Sequence, residues 1–262
     1  MTAAYIEEYF AWIIHFMLIV VRVSALLLIT PLLNRQNVPS MVKIGLSVLT
    51  AFVLINFSPP AFPYPYTEPW PLLGAAVREM IVGLSFGFVT ALFLNIVYTA
   101  GQIIDMQVGL SLAQVFDISI GAQAAVTAGI LNIIMVVTFI FADGISRVFA
   151  VLGRTLEIIP VGTAAIGPEL PMLMLDLFIR CFVIAVQITL PVMASAMLLE
   201  VALGVIVRTA PQMNIFVIGI PLKVAIGLLI FLFMVPVFVS ATGGIFDQMF
   251  DAMDNLLGEM MP

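Results

Sequence analysis

Few side chains in this sequence could perform acid–base or metal chemistry. His15 is the single histidine, so no pair of imidazoles exists that could begin a transition-metal site. Asp105 and Asp117 could suggest an intramembrane aspartyl pair, but both fall in a predicted loop among amide side chains. The chain also contains neither a G-x-S-x-G nucleophile elbow nor a Walker phosphate-binding loop. The sequence therefore predicts no enzymatic activity, no metal site and no cofactor.

A second group of polar residues lies within or beside strongly apolar runs. A charge at the centre of a bilayer costs about 2.5–3.5 kcal/mol on insertion scales, so such residues usually pair or face water. We expect five of them to form inter-helix or inter-subunit polar contacts: Arg22, Glu79, Glu200, Arg208 and Lys223. Glu200 and Arg208 flank Gly204 at intervals of four residues, which places all three on one helix face. Snorkelling of these side chains towards the membrane surface is the alternative.

Composition defines the elements that must position these residues. Hydrophobic residues make up 63% of the chain, charged residues only 9%, and the mean hydropathy is +1.23. A soluble domain is typically about 45–50% apolar and about 25% charged. The sequence therefore predicts an all-α membrane protein. Its net charge of −6 argues against nucleic acid as a partner.

Six apolar segments can be marked as candidate helices. They cover residues 10–33, 41–57, 72–100, 124–142, 174–207 and 215–241. A bilayer crossing takes about 20 residues, so the second segment is short, whereas the third and fifth are too long. We expect Pro191 to kink the fifth. The unequal lengths favour stacked helical hairpins packed against other subunits over simple bilayer crossings.

The connections differ in character. Residues 58–71 contain six prolines interleaved with aromatic residues, which predicts an extended segment at the membrane surface. Residues 101–123 and 143–173 are predicted to be long loops, and residues 208–214 a short polar turn.

The loop over residues 101–123 carries more large apolar side chains than an exposed loop needs. A loop of this length is often functional. Its apolar residues could seal a pore while its glycines let the backbone fold tightly; a connector lying on the membrane surface is the alternative. The candidate plug and gating residues are Asp105, Met106, Gln107, Gly109, Leu110, Leu112, Val115, Phe116, Asp117, Gly121 and Gln123.

The tail after residue 244 changes pattern. One helical stripe is apolar and the other faces carry acidic residues, which predicts a C-terminal amphipathic helix. An acidic helix is repelled by anionic lipid, so we expect it to dock on protein. The stripe consists of Ile245, Phe246, Met249, Phe250, Met253, Leu256, Leu257 and Met260.

Glycines within the apolar segments are candidates for close helix packing. Gly83 and Gly87 form a G-x-x-x-G step, a spacing that lets two membrane helices approach closely. Gly204 and Gly219 are assigned the same packing role.

Four stretches resemble the FliR/SctT family of type III export-gate subunits. The first is the N-terminal stretch from Arg22 to Pro39. The second is the E-x-x-x-G-x-x-x-G of Glu79, Gly83 and Gly87, and the third is the central loop. The last, "RTAPQMNIFVIGIPLKVAIG", is the most specific, and its long match favours the flagellar branch. The resemblance covers most of the chain in the same order.

The resemblance implies a role and partners. It implies a non-enzymatic subunit of the flagellar gate, built from a FliP-like part (1–173) and a FliQ-like part (174–262) within one export-gate domain. With FliP-type and FliQ-type subunits it would form the pore for unfolded flagellar subunits in the bacterial inner membrane, at the flagellar basal body. FlhB and FlhA would be neighbours, and the central loop would plug the closed pore. An injectisome counterpart or a small-solute transporter remains the alternative.

Overall fold

The computed structural model describes residues 2–31, 38–58, 69–111, 125–209 and 215–261. Over these ranges the chain forms seven α-helices and no strand. The helices are α1 (Thr2–Ile29), α2 (Ser40–Leu54), α3 (Pro69–Val108), α4 (Val126–Phe141), α5 (Gly144–Ile158), α6 (Glu169–Thr209) and α7 (Ile215–Glu259). A short 3₁₀ turn, Ile55–Phe57, follows α2.

The helices confirm the prediction of an all-α membrane protein. Within the described ranges five helical stretches are long and apolar enough to cross a membrane: Glu8–Ile29, Ser40–Phe57, Pro69–Val108, Glu169–Ile206 and Gly219–Glu259. A sixth candidate is the pair α4 and α5, which together meet the same test but bend by 64° at their junction. The bend occurs at Asp143, whose φ of 53° is left-handed and ends the helical path.

Several predicted boundaries are wrong, and one is the start of α3 at Pro69, inside the stretch predicted to be extended. Residues 101–108 are the last turns of α3 rather than loop, and the predicted loop over 143–173 contains α5. The tail is not a separate helix, because α7 continues through Gly243 and Gly244 to Glu259. In the other cases a glycine or polar residue suggests a break, although packing or internal hydrogen bonds hold the helix together there.

Proline inside a helix is tolerated in two of the helices. Pro191 lies within α6, and Pro221 and Pro236 lie within α7. Neighbouring helices and hydroxyl side chains can satisfy the backbone groups that proline leaves open in a membrane helix. The unequal helix lengths follow, since α3 with 40 residues and α7 with 45 reach about 60 Å or more at 1.5 Å per residue.

Two compact units share these helices. Unit 1 consists of Met1–Phe93, Asp143–Phe178 and Phe246–Pro262, and unit 2 of Leu94–Ala142 and Ile179–Ile245. Each of α3, α6 and α7 contributes one end to each unit. The predicted division at residue 173 into FliP-like and FliQ-like parts concerns likeness to other proteins and stays a prediction.

Unit 1 depends on close packing between α1 and α3. Gly83 and Gly87 face α1, and a Cβ on Gly87 would lie 2.9 Å from the carbonyl oxygen of Leu26. A Cβ on Gly83 would lie 2.7 Å from Cβ of Ala25 and closer still to the Arg22 carbonyl oxygen. Only glycine allows this approach.

The apolar stripe of the tail is buried by the chain itself. Every stripe residue is at most 6% exposed, and those from Phe246 onwards belong to unit 1. Arg147 of α5 lies over the Phe250 ring at 3.8 Å and pairs with Asp247, and Arg154 pairs with Asp254 at 2.9 Å. The predicted docking on protein is therefore docking on α5 of the same unit.

Unit 2 has a different surface. Large apolar side chains of α6 and α7 are well exposed, among them Leu198 at 72%, Leu232 at 68% and Phe233 at 71%. Patches of this kind normally face lipid or another protein. Hydroxyl groups such as those of Thr138 and Ser195 donate to carbonyl groups of their own helix, which satisfies them without water.

Replacing Gly83 with alanine is expected to destabilise the protein by about 1–3 kcal/mol, because the new methyl group would overlap backbone atoms of α1. Gly74→Ala, on the same helix, is the matched control: no atom lies within 4 Å of its new methyl group. It should be neutral or stabilising by up to about 1 kcal/mol. Unfolding of the purified protein in detergent measures both, and equal effects would contradict the packing assigned to Gly83.

Candidate functional site

The most buried charges in the described chain form one network in unit 1. Arg22 of α1 and Glu79 of α3 are both fully buried. Nε of Arg22 donates to Oε2 of Glu79 at 2.5 Å, and Nη2 donates to Oε1 at 3.0 Å. This two-point geometry is the strongest form of a guanidinium–carboxylate pair.

The remaining donors of Arg22 bind the end of α5. Nη1 donates to the carbonyl oxygen of Thr155 at 2.9 Å and to its hydroxyl oxygen at 3.2 Å, and Nη2 donates to the carbonyl oxygen of Ile159 at 3.1 Å. A guanidinium carries five N–H donors, and all of them are used here. The last carbonyl groups of a helix carry partial negative charge, so a cation there is favourable.

Glu79 accepts a further hydrogen bond from a backbone turn that follows α5. The backbone N–H of Gly162 donates to Oε1 of Glu79 at 2.8 Å. Gly162 has a φ of 84° in a turn closed by the hydrogen bond from Thr163 N–H to the Pro160 carbonyl at 3.1 Å. A β-turn with positive φ at this position favours glycine. We call these groups the Arg22 network: Arg22, Glu79, Thr155, Ile159 and Gly162.

The Arg22 network has a structural role, because its hydrogen bonds hold helices together. Every donor of the guanidinium is occupied, and no buried side-chain nitrogen or oxygen in the described ranges lacks a partner. A group that binds substrate or moves a proton needs a free position. The network instead fixes α1, α3 and α5 in one arrangement.

A second polar group joins α3 to α4 in unit 2. Asp105, 1% exposed, accepts the Thr127 hydroxyl at 2.6 Å and its backbone N–H at 3.3 Å. Directly beside this contact, Gly101 packs against Ala128 so closely that a Cβ on Gly101 would lie 2.6 Å from Cβ of Ala128. We call these four residues the loop-base clamp: Gly101, Asp105, Thr127 and Ala128.

The clamp corrects the predicted setting of Asp105. This residue lies in the last turns of a helix, buried against the start of the next one, and not in a loop. Met106 is 71% exposed, whereas Gln107, Gly109 and Leu110 are half-buried. The other candidate plug residues lie outside the described ranges: Leu112, Val115, Phe116, Asp117, Gly121 and Gln123.

The remaining predicted polar residues belong to α6 and α7. Lys223, 20% exposed, donates to Glu200, which is 53% exposed. Arg208 lies on the surface near the end of α6, and Gly204 is exposed, with no atom within 4 Å of the place that a Cβ would take. The structure thus places Glu200 against a lysine of α7 rather than against Arg208, which shares its helix face. Gly219 is buried.

His15, the single histidine, is buried and bonds through Nε2 to the carbonyl oxygen of Ser58 at 2.5 Å. Within the described ranges no group of three or more histidine, cysteine, aspartate or glutamate side chains is arranged to hold a metal ion.

Sequence reasoning missed the partners on α4, α5 and the following turn. Thr127, Thr155 and Ile159 bond through positions that carry no distinctive motif. Gly162 could have been found from the sequence, since a proline and a glycine close together, here Pro160 and Gly162, are typical of a turn. Gly101 suggests a helix end, although its spacing of four from Asp105 puts both on one helix face.

One known protein family matches most of the sequence. The family of bacterial export proteins, family 1, matches residues 13–249. The chain belongs to this family. The matched region of this family 1 export protein contains the Arg22 network and the loop-base clamp.

Individual relatives of this family 1 export protein extend over nearly its whole length. Flagellar biosynthetic protein FliR of Bacillus subtilis is 30% identical over 92% of this chain and 94% of its own length. The Escherichia coli protein of that name is 27% identical, with 97% of both chains covered. The one from Aquifex aeolicus is 26% identical over 90% of this chain and 91% of its own. The resemblance to FliR proteins is confirmed.

Substituting one member of the central ion pair tests its structural role. Arg22→Met leaves the Glu79 carboxylate buried without its cation, which should destabilise the protein by about 3–5 kcal/mol. The double variant Arg22→Met with Glu79→Leu should recover most of that loss, since neither charge remains. Arg208→Met, at an arginine exposed near the end of α6, is the control and should change stability by less than about 0.5 kcal/mol.

Unfolding in detergent measures all of these variants beside the parent protein. If the double variant were as unstable as the sum of its single variants, the two side chains would not act as a pair.

Proposed function

We propose that this protein is a non-enzymatic subunit of the flagellar type III protein export gate. The observation that carries the proposal is the coverage of the comparisons. The export family matches residues 13–249, and relatives named as flagellar biosynthetic protein FliR align over nearly their full length. In this role the protein lies in the inner membrane at the flagellar basal body and helps to form the pore for unfolded flagellar subunits.

The absence of an enzymatic role is supported by how the buried polar groups are used. Arg22 and Glu79 bind each other and backbone groups, and Asp105 binds Thr127. None of these groups is left available for proton transfer or nucleophilic attack. On this proposal the energy for export is supplied by other components.

The apolar surface supports assembly with partners. α2 exposes Met41 at 86% and Phe52 at 66%, and α6 exposes Leu198 at 72%. On this proposal FliP-type and FliQ-type subunits and membrane lipid cover these faces, and FlhB and FlhA adjoin the assembled gate. The partly exposed pair of Glu200 and Lys223 is a polar contact between α6 and α7.

Gating is assigned to the segment between α3 and α4. Its apolar residues obstruct the pore at rest and give way when substrate engages. The two states then differ by a few kcal/mol, which differential binding of substrate can overcome. The exposed side chain of Met106, at 71%, is available to this segment or to a partner.

The proposal is tested by deleting the gene in a motile host and measuring secretion of hook and filament subunits. Export is expected to stop and to return with a plasmid copy, and the tagged protein should copurify with FliP-type and FliQ-type subunits. Normal motility without the gene would overturn the proposal. Loss of injectisome secretion with flagellar export intact would instead assign the chain to the injectisome branch.

Deleting residues 110–116 should make the assembled gate leak ions, because the apolar side chains that block the pore are removed. Leakage is measured as proton or potassium flux across the membrane of cells that carry the variant gate. A same-length replacement of residues 110–116 by glycine and serine separates loss of the apolar side chains from shortening of the segment. Ion flux at the wild-type level in both variants would exclude a plug in this segment.

A further inference from the structure

The last turns of α3 are buried on one face and exposed on the opposite face. Gly109 has a φ of 92° and ends the helix, with its N–H bonded to the Asp105 carbonyl at 3.1 Å. Just before it, Ile104, Asp105 and Val108 are each at most 1% exposed, whereas Met106 is 71% exposed. The last turns are therefore held by packing along one face.

The start of α4 relies on this face of α3. Its N-cap residue, Ala125, has no side chain that can cap the helix. The carboxylate of Asp105, 22 residues earlier in the sequence, caps the helix instead. Both of its oxygens lie 3.3 Å from the Thr127 backbone nitrogen. A carboxylate at a helix N-terminus is favoured by the helix dipole and by the unsatisfied N–H groups there.

Steric contacts leave little freedom at the same place. Gly101 meets the backbone of Ala128, and a Cβ on Gly227 of α7 would lie 2.7 Å from a methyl group of Val108. Separating α3 from α4 would therefore break close packing and also strand the Thr127 hydroxyl and N–H away from water. A buried donor without a partner is costly.

We propose that Asp105 is a positioning residue that keeps the loop-base clamp closed throughout export, so that α3 and α4 do not separate when substrate passes. This inference rests on the proposed function of the segment between the two helices. On this inference, gating involves only movements during which residues 101–108 of α3 stay in contact with residues 126–128 of α4.

A reversible covalent lock tests the proposal. In a Cys181→Ala background, which removes the chain's one native cysteine, Asp105→Cys and Thr127→Cys are introduced together. A mild oxidant joins the two thiols as a disulfide with loss of two protons and two electrons to the oxidant, and a thiol reductant reverses it. A short bis-thiosulfonate cross-linker serves as a second way to close the clamp.

With the clamp locked, secretion of flagellar subunits is expected to stay within about twofold of the Cys181→Ala parent, and resting ion flux should match that parent. After reduction the native hydrogen bonds are missing, so resting ion flux should rise several-fold. Each single-cysteine variant, treated with the same oxidant, controls for oxidation elsewhere in the gate.

A block of export on locking, reversed by reductant, would overturn the inference and leave the proposed function intact. Failure of the wild-type gene to restore export to a deletion strain would instead count against the proposed function itself. The two failures are therefore distinguishable.

Variants of Thr127 separate loss of the hydrogen bond from general destabilisation, because resting ion flux is compared at unchanged protein level. Thr127→Val keeps the shape but removes the hydroxyl, and should raise resting ion flux at unchanged protein level. Thr127→Ser keeps the hydroxyl and should restore the wild-type flux. Thr138→Val is the matched control, because that hydroxyl bonds only within α4.

The Thr127 hydroxyl lies 2.6 Å from Oδ1 of Asp105 and 2.8 Å from the Gly101 carbonyl oxygen, both on α3. Equal ion flux from the valine and serine variants would show that this hydroxyl does not hold the clamp through either acceptor.

Discussion

The pairing of Arg22 with Glu79 is the constraint on which unit 1 depends. Two opposite charges lie fully buried between helices, where neither can reach water. Such a pair is tolerated only when its geometry is good and every remaining donor finds a partner. The partners come from Thr155, Ile159 and Gly162, so satisfying one ion pair fixes the positions of α1, α3, α5 and the turn that follows.

Close packing and polar pairing act together in this protein. Gly83 brings the α1 backbone against α3 only one helical turn from Glu79, and in unit 2 Gly101 brings α4 against α3 one turn before Asp105. In both places a glycine lets the two helices approach each other. A carboxylate one turn away on the same helix then binds a side chain of the neighbouring helix. Lipid offers helices no hydrophobic reason to associate, so steric fit and hydrogen bonding have to supply the specificity.

Sequence reasoning went furthest where the pattern is long and periodic. The apolar runs predicted the all-α membrane class, and the great length expected of the third and fifth runs is seen in α3 and α6. The residues that proved buried and charged, Arg22 and Glu79, stand out against an apolar background. Their partners could not be found this way, because backbone carbonyl groups carry no sequence signature and α5 was hidden in a stretch rich in glycine and proline.

The tail shows why boundaries were harder. Gly243 and Gly244 suggested a break, but both are exposed or lightly packed positions within α7, where the absence of a side chain costs only about 1 kcal/mol each. The candidate gating residues from Leu112 onwards lie outside the described ranges, so their role rests on the chemistry of their side chains and on the family relationship.

Unit 1 is completed by three separate stretches, of which the last is Phe246–Pro262. Phe250, Met253 and Leu257 cover apolar surface that the earlier stretches leave open, and two arginines of α5 hold them at Asp247 and Asp254. During synthesis this surface stays uncovered until the ribosome has delivered the final turns of α7. A chain cut before residue 246 would therefore expose apolar surface of unit 1 that these turns cover in the folded protein.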